Sequence, residues 1–465
     1  MTRVTSLLTI AIALVWAPVA SAQHVPLARF LPSLISSGAR IDLTSTPGDT
    51  QGHFVVGAKL SLAPAELNKA IALQLTTFPL NLSWSGISVG ERSTGSATRD
   101  GWTFGSSFAE RAATAGRGRF SLAFAQEFTT YASIDGTDLG AGDINFFFEH
   151  DNCCPAGASA PFSVTDLRPE LERDLLVETL SVDLDRNVFT LFANYGVTDR
   201  LDLGVAVPIV KVNISGRITS RILRTSTAAA PSVHSFDILE LANRTIYGSG
   251  HAAGLGDILV RAKYNFLRRT ELGLAAGLAV RVPTGDADEL LGTGAARTTA
   301  TLIWSGEFGR VSPHVNAGYT WSAGDAGAEI ARFAADMPAG FAAPALDLRV
   351  PDEFNLTGGF EVGIHRRVTV AADVVGRRVS DMTRFRVGDT TFPSRGPGSL
   401  PSANFVASND FLLSGSGALA LVFGVAGARV TVGDRLLLNA DILFPIVENG
   451  LRSKVGAVAG FTYGF

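Results

Sequence analysis

The sequence predicts an all-β fold: a transmembrane antiparallel β-barrel of about 14 strands, or 12 if the two weakest are dropped, behind a small N-terminal helical or irregular plug segment. Three observations carry this. From Asn81 onward, segments of about ten residues alternate apolar and polar side chains, the period of a strand with one face in each medium. Short turns alternate strictly with long polar loops, which soluble sandwiches rarely do and outer-membrane barrels do as a rule. Finally, the chain ends on "SKVGAVAGFTYGF", with Val455, Ala457, Ala459, Phe461, Tyr463 and Phe465 on one face of a strand that finishes on Phe.

Residues 1–22 read as a secretory signal peptide. Arg3 precedes an apolar run from Leu7 to Val19, and Ala20-Ser21-Ala22 forms the small-x-small end, so cleavage is expected before Gln23. Residues 23–80 do not alternate. Within them "LAPAELNKAIALQL" (62–75) predicts a short amphipathic helix starting after Pro64, with Leu67, Ile71 and Leu75 on one stripe. This segment is expected either to plug the lumen or to lie beneath the barrel as a periplasmic segment. Residues 81–465 form the barrel.

Strands are expected near 81–89, 101–111, 118–133, 178–195, 200–215, 255–267, 271–283, 296–308, 310–322, 353–364, 367–382, 414–432, 435–446 and 453–465. The first two are the weakest. "ATAGRGR" (113–119), "GVTDR" (196–200), "FLRRTE" (266–271), "EFGR" (307–310), "IHRR" (364–367) and "VGDR" (432–435) supply the short turns. Loops at 90–100, 134–177, 216–254, 284–295, 323–352, 383–413 and 447–452 lie on the other side. The uncharged stretch Phe411 to Ala428 is long enough for a membrane helix, but its four glycines and two serines favour a strand.

A net charge of −4 gives no basis for a nucleic-acid partner, and two cysteines exclude a disulfide scaffold. The forty-nine glycines are scattered, which excludes collagen.

The blocks "TTFPLNLSWSGISV", "GSSFAERAATAGRGRFSLAF", "NYGVTDRLDLGVAVPIV", "GLGDILVRAKYNF" and "LAVRVPTGDADELLGTGAA" resemble the outer-membrane proteins grouped under a phenol-degradation meta-pathway heading. That family is distantly similar to the FadL-type transporters of long-chain fatty acids and aromatic hydrocarbons. The resemblance implies a fourteen-stranded barrel with an N-terminal hatch in its lumen, taking up hydrophobic molecules by diffusion without ATP. In the FadL type the ligand leaves sideways at a kink in the third strand. The third strand here, "RFSLAFAQEFTTYA", has neither Gly nor Pro between Arg119 and Ala132 to mark one.

The expected role is thus passive uptake of hydrophobic or aromatic compounds across the outer membrane of a Gram-negative-type cell. The alternatives are a structural or surface-receptor barrel using its long loops, and a barrel lipid hydrolase. For the ligand path, Leu67, Ile71, Leu75 and Phe78 are the candidate greasy surface; the bland reading packs them against the wall. Lumen charges are expected at Asp257, Arg261, Lys263, Glu271, Arg281, Glu361, Asp373, Arg377 and Asp441, chiefly as structural ion pairs. Phe461, Tyr463 and Phe465 are assigned to the strand that the barrel-assembly machinery reads. Cys153 and Cys154 in "HDNCCP" are a possible disulfide rather than a metal site, since adjacent thiols cannot easily share one ion with His150. Ser312, His314 and Asn316 form a triad-like row, but it faces the lumen, where a lipid hydrolase would not meet its substrate. P-loop and HExxH motifs are missing from the sequence, and neither a cofactor nor a metal is expected. The expected partners are the lipid bilayer, small hydrophobic molecules and the assembly machinery.

Overall fold

The computed structural model describes residues 25–39, 54–55, 62–78, 108–150, 175–223, 236, 243–269, 271–331, 346–392, 404–433 and 435–465. Two helices, α1 (Phe30–Ala39) and α2 (Leu62–Thr77), precede almost all of the sheet. The strands are β1 (Phe54–Val55), β2 (Phe120–Ile134), β3 (Thr137–Asp138), β4 (Ile144–His150), β5 (Leu175–Gly196), β6 (Leu201–Leu223), β7 (Asn243–Leu255), β8 (Ile258–Arg268), β9 (Leu272–Val282), β10 (Ala296–Gly306), β11 (Val311–Ala323), β12 (Glu353–His365), β13 (Val368–Phe392), β14 (Phe405–Val432), β15 (Leu436–Pro445) and β16 (Leu451–Gly464).

Twelve of these close a ring. β5 pairs with both β2 and β6, and β8 to β16 follow in order until β16 returns to β2. The wall is therefore the twelve-stranded alternative. The predicted strand 81–89 and most of 101–111 lie outside the described residues, as do the signal peptide, Cys153 and Cys154. Residues 108–111 are described and are not a strand. The turn at 113–119 consequently does not join residues 108–111 to β2 as a hairpin. It leads from a segment inside the barrel into β2.

The alternation sets the two faces. On β8, Arg261, Lys263 and Asn265 are buried inward, while Val260 is 51% exposed and Tyr264 48% exposed on the outside. Leu278, Leu302, Phe354, Phe360 and Ile442 carry the same outward apolar surface around the ring. A band this continuous marks a lipid interface. Among the described residues no helix is long and apolar enough to cross a membrane. Phe411 to Ala428 belongs to β14.

Several loops are shorter than the sequence implies, because strands outrun the wall. β13 continues to Phe392 and β14 begins at Phe405. The outer halves of β5 and β6 gain β4 and β7 as neighbours, and β7 passes into β8 through a one-residue register change at Gly256 and Asp257. Helix α1 packs on this outer sheet. Gly216 and Gly250 permit the approach: a Cβ there would sit 2.8 Å from Leu34 of α1 and 2.6 Å from Leu27 in the 3-10 turn that leads into it.

At the opposite end the closing pair is continuous. Phe461 pairs with Phe124, and the Phe465 N–H donates to the Phe120 carbonyl at 3.0 Å. The rings of Phe461 and Phe124 lie 4.8 Å apart and those of Phe465 and Phe120 5.7 Å apart. Phe465 is 64% exposed on the outer face.

Candidate functional site

The lumen is occupied by the chain's own N-terminal part. Helix α2 is rich in Ala and Leu, with Pro64 tolerated in its first turn. Apart from Leu62, Glu66 and Thr76 it is buried all round, as an enclosed helix must be, rather than on a single stripe. Its polar side chains are met individually. Asn68 Nδ2 donates to the Ala28 and Ile330 carbonyls at 2.9 and 3.1 Å. Lys69 pairs with Glu66 at 2.6 Å, and Glu66 accepts from Thr383 of β13 at 2.6 Å. Gln74 Oε1 accepts from the Leu451 N–H of β16 at 2.6 Å.

The C-terminus of α2 has no glycine cap. Its free carbonyls are met by arginines from the wall, the sign that suits the negative end of the helix dipole. Arg281 of β9 donates to the Thr76 and Phe78 carbonyls at 3.3 and 3.5 Å. Arg297 of β10 and Arg377 of β13 reach the Thr77 carbonyl at 3.5 and 3.0 Å. Glu353 of β12 bridges these two, binding Arg297 through one oxygen and Arg377 through the other.

Below the helix a second piece of chain crosses the lumen. Residues 108–115 run toward the short-turn end as an extended strap, and wall side chains satisfy its backbone. Asp373 accepts from the Phe108 and Ala109 N–H groups at 2.8 and 3.4 Å. Lys263 donates to the Arg111 and Ala113 carbonyls at 3.1 and 2.7 Å, and Asn265 to the Ala112 carbonyl at 2.7 Å. Ser305 accepts from the Ala112 N–H at 3.1 Å, and Asp202 from the Ala115 N–H at 2.9 Å. Glu110 pairs with Arg261, and Arg111 with Glu307.

Between the strap and the end of α2 lies a cavity of about 140 Å³, lined among others by Phe108, Leu259, Val375 and four arginines. Beside it Phe78 stacks on Phe423 at 5.7 Å, Phe108 meets Phe423 edge-on at 5.7 Å, and Arg186 lies 5.9 Å from the Phe78 ring.

The sequence-selected residues fall as follows. Leu67, Ile71 and Leu75 are at most 2% exposed inside the core, which leaves them no open greasy surface; Phe78 is the member that reaches the aromatic group. Arg261, Lys263, Asp373 and Arg377 hold the strap or the helix. Glu361 lies 3.8 Å from His314 and 4.0 Å from Arg111. Asp441 pairs with Arg429 at 3.1 Å. Asp257 accepts from Thr293 and Gly285 and so braces the loop after β9 instead of joining the lumen ladder. Glu271 is corrected: it is exposed in the turn before β9, because the strand starts one residue later than the alternation implies.

The triad-like row does not assemble. His314 Nε2 is 2.7 Å from Asp373, its other ring nitrogen faces Glu361, and Asn316 turns to the backbone of Glu110. Missed from sequence were Glu110, Arg297, Glu353 and Phe423. Arg297 and Glu353 do have inward parity, but they sit at strand starts, where the alternation is hardest to read.

No curated protein matches the sequence. Among solved structures, an outer membrane channel from Pseudomonas putida F1 aligns over 75% of this chain and 96% of its own, at 12% identity and a TM-score of 0.38. The Ralstonia pickettii toluene transporter TbuX aligns over 75% and 90%, at 12% identity and 0.33. A Pseudomonas aeruginosa FadL homologue aligns over 75% and 90%, at 12% identity and 0.30. These likenesses are loose, and the architecture stands on this chain's own strand pairing. Residues 179–344, from β5 into the segment after β11, match the family described as "Putative MetA-pathway of phenol degradation", and over that stretch the resemblance read from the sequence holds.

Proposed function

We propose that this protein is an outer-membrane channel for passive uptake of hydrophobic or aromatic small molecules. One observation carries the reading: a closed barrel with an apolar exterior holds, between its own helix and strap, a one-ring-sized cavity flanked by stacked aromatic rings. The family whose description names phenol degradation supports it. A lipopolysaccharide leaflet resists hydrophobic solutes, and successive weak sites in a plugged barrel let them descend a gradient without energy input. Residues 23–80 act on this reading as the plug, residues 1–22 as a cleaved signal, and Phe461, Tyr463 and Phe465 as the face read by the assembly machinery. Hydrolysis is not part of the proposal, because His314 is committed to two carboxylates.

Planar-bilayer conductance of the purified chain, with and without residues 23–76, tests the plug. Removal is expected to raise conductance several-fold. An unchanged trace would mean that the segment does not obstruct conduction and would overturn its role as a plug.

A further inference from the structure

The lumen cavity has the volume of a hydrocarbon site but not its chemistry. An engineered apolar cavity of about 150 Å³ stays dry and takes up benzene. The present cavity is about 140 Å³, with Phe108, Leu259 and Val375 offering a ring-sized apolar surface. Yet Arg261, Arg281, Arg297 and Arg377 line it as well, against the carboxylates Glu110 and Glu353.

The bland explanation is that the arginines are there for the helix. Magnitudes decide against this as the whole account. The C-terminal pole of α2 is worth about half a negative charge. Added to the two lining carboxylates, it leaves the four guanidiniums with an excess of positive charge, part of which Asp257 near Arg281 offsets. Arg297 and Arg377 already cap Thr77 while paired to Glu353. Arg281 adds a third guanidinium, whose two hydrogen bonds to neutral carbonyls are long, at 3.3 and 3.5 Å. Asp257, the next carboxylate along, is engaged by the Thr293 hydroxyl and N–H at 2.8 Å each. Charges inside membrane proteins are usually paired, and a charge-assisted bond to a carboxylate is about twice as strong as one to a neutral carbonyl.

We propose that this cavity binds a one-ring organic anion, an aromatic carboxylate, with its ring against Phe108, Leu259 and Val375 and its charge on the arginine side. The proposal rests on the uptake reading and narrows its substrate class from neutral aromatic compounds to anionic ones.

Titration calorimetry of the full chain in detergent tests it, with benzoate as the probe and benzamide as its neutral isostere. Benzoate is expected to bind at least ten-fold more tightly than benzamide. Arg281→Gln is expected to weaken benzoate about ten-fold and leave benzamide unchanged, while Arg281→Lys retains part of the preference. The wild-type comparison stands even if a variant does not fold. Equal affinity for the two probes, no benzoate binding, or benzoate binding indifferent to Arg281→Gln would each overturn the proposal. Uptake of neutral aromatics without preference for benzoate would sink this proposal alone. Tight benzoate binding by a barrel that passes no solute would sink the uptake reading and leave the site.

Discussion

Glu353 is the joint between the plug helix and the wall, and its replacement by Gln is the sharpest test of that arrangement. The carboxylate is 5% exposed and binds Arg297 and Arg377, each of which also holds the Thr77 carbonyl. Gln keeps the shape and one acceptor oxygen but removes the charge, leaving two guanidiniums facing each other. Truncating one member of a buried ion pair costs about 3–5 kcal/mol. The retained acceptor puts the expected loss near the lower end, at about 3 kcal/mol. Denaturant unfolding in lipid vesicles, followed by tryptophan fluorescence, reads it directly. The diagnostic is the cycle with Arg377→Gln. Residues sharing one network couple by about 0.5–3 kcal/mol, so the double variant is expected to lose at least 1 kcal/mol less than the sum of the singles. Additive losses, or a Glu353→Gln loss below 1 kcal/mol, would refute a shared anchor.

Other expectations follow from the same geometry. Val260→Arg places a charge on the lipid face and is expected to cost about 2–4 kcal/mol in vesicle unfolding, with little change in a detergent whose chains adapt. Asn265 faces the lumen, where its side chain holds the Ala112 carbonyl. Asn265→Leu is therefore expected to cost about 1–3 kcal/mol, read by the same unfolding, whereas a neutral result would mean the strap is not bound there. Gly196→Ala would drive a Cβ into the Gly116 carbonyl, so refolding yield is expected to fall sharply beside a Gly417→Ala control, whose Cβ meets open space. Deleting Phe465 is expected to lower the amount of folded barrel in cells while leaving refolding of purified protein nearly unchanged; an equal drop in both would assign the residue to stability alone.

The wall was legible because lipid and lumen impose a period of two on the chain. Leu272 to Leu278, Thr298 to Trp304 and Val455 to Phe465 each show that rhythm, and each is a strand with its apolar row outward. The strap was not legible. "GSSFAER" also alternates, but the backbone of residues 108–115 is met by side chains of four different strands, from Asp202 to Asp373, and no local pattern encodes those. The plug helix was visible as a helix. Its burial on every side was not, because Asn68, Lys69 and Gln74 look solvent-facing until Ala28, Glu66 and Leu451 are placed beside them. Parity gave Arg377 and Asp373 an inward direction, while their roles came from chain segments hundreds of residues away.

Passive entry is read out by uptake into intact cells. Cells with a complete lipopolysaccharide leaflet, expressing the full chain or an empty vector, are given a labelled one-ring aromatic, and the initial rate is followed with and without an uncoupler. Expression is expected to raise the rate several-fold, and the uncoupler to leave that increment intact. A rate equal to the empty vector, or an increment abolished by the uncoupler, would rule out passive entry through this barrel.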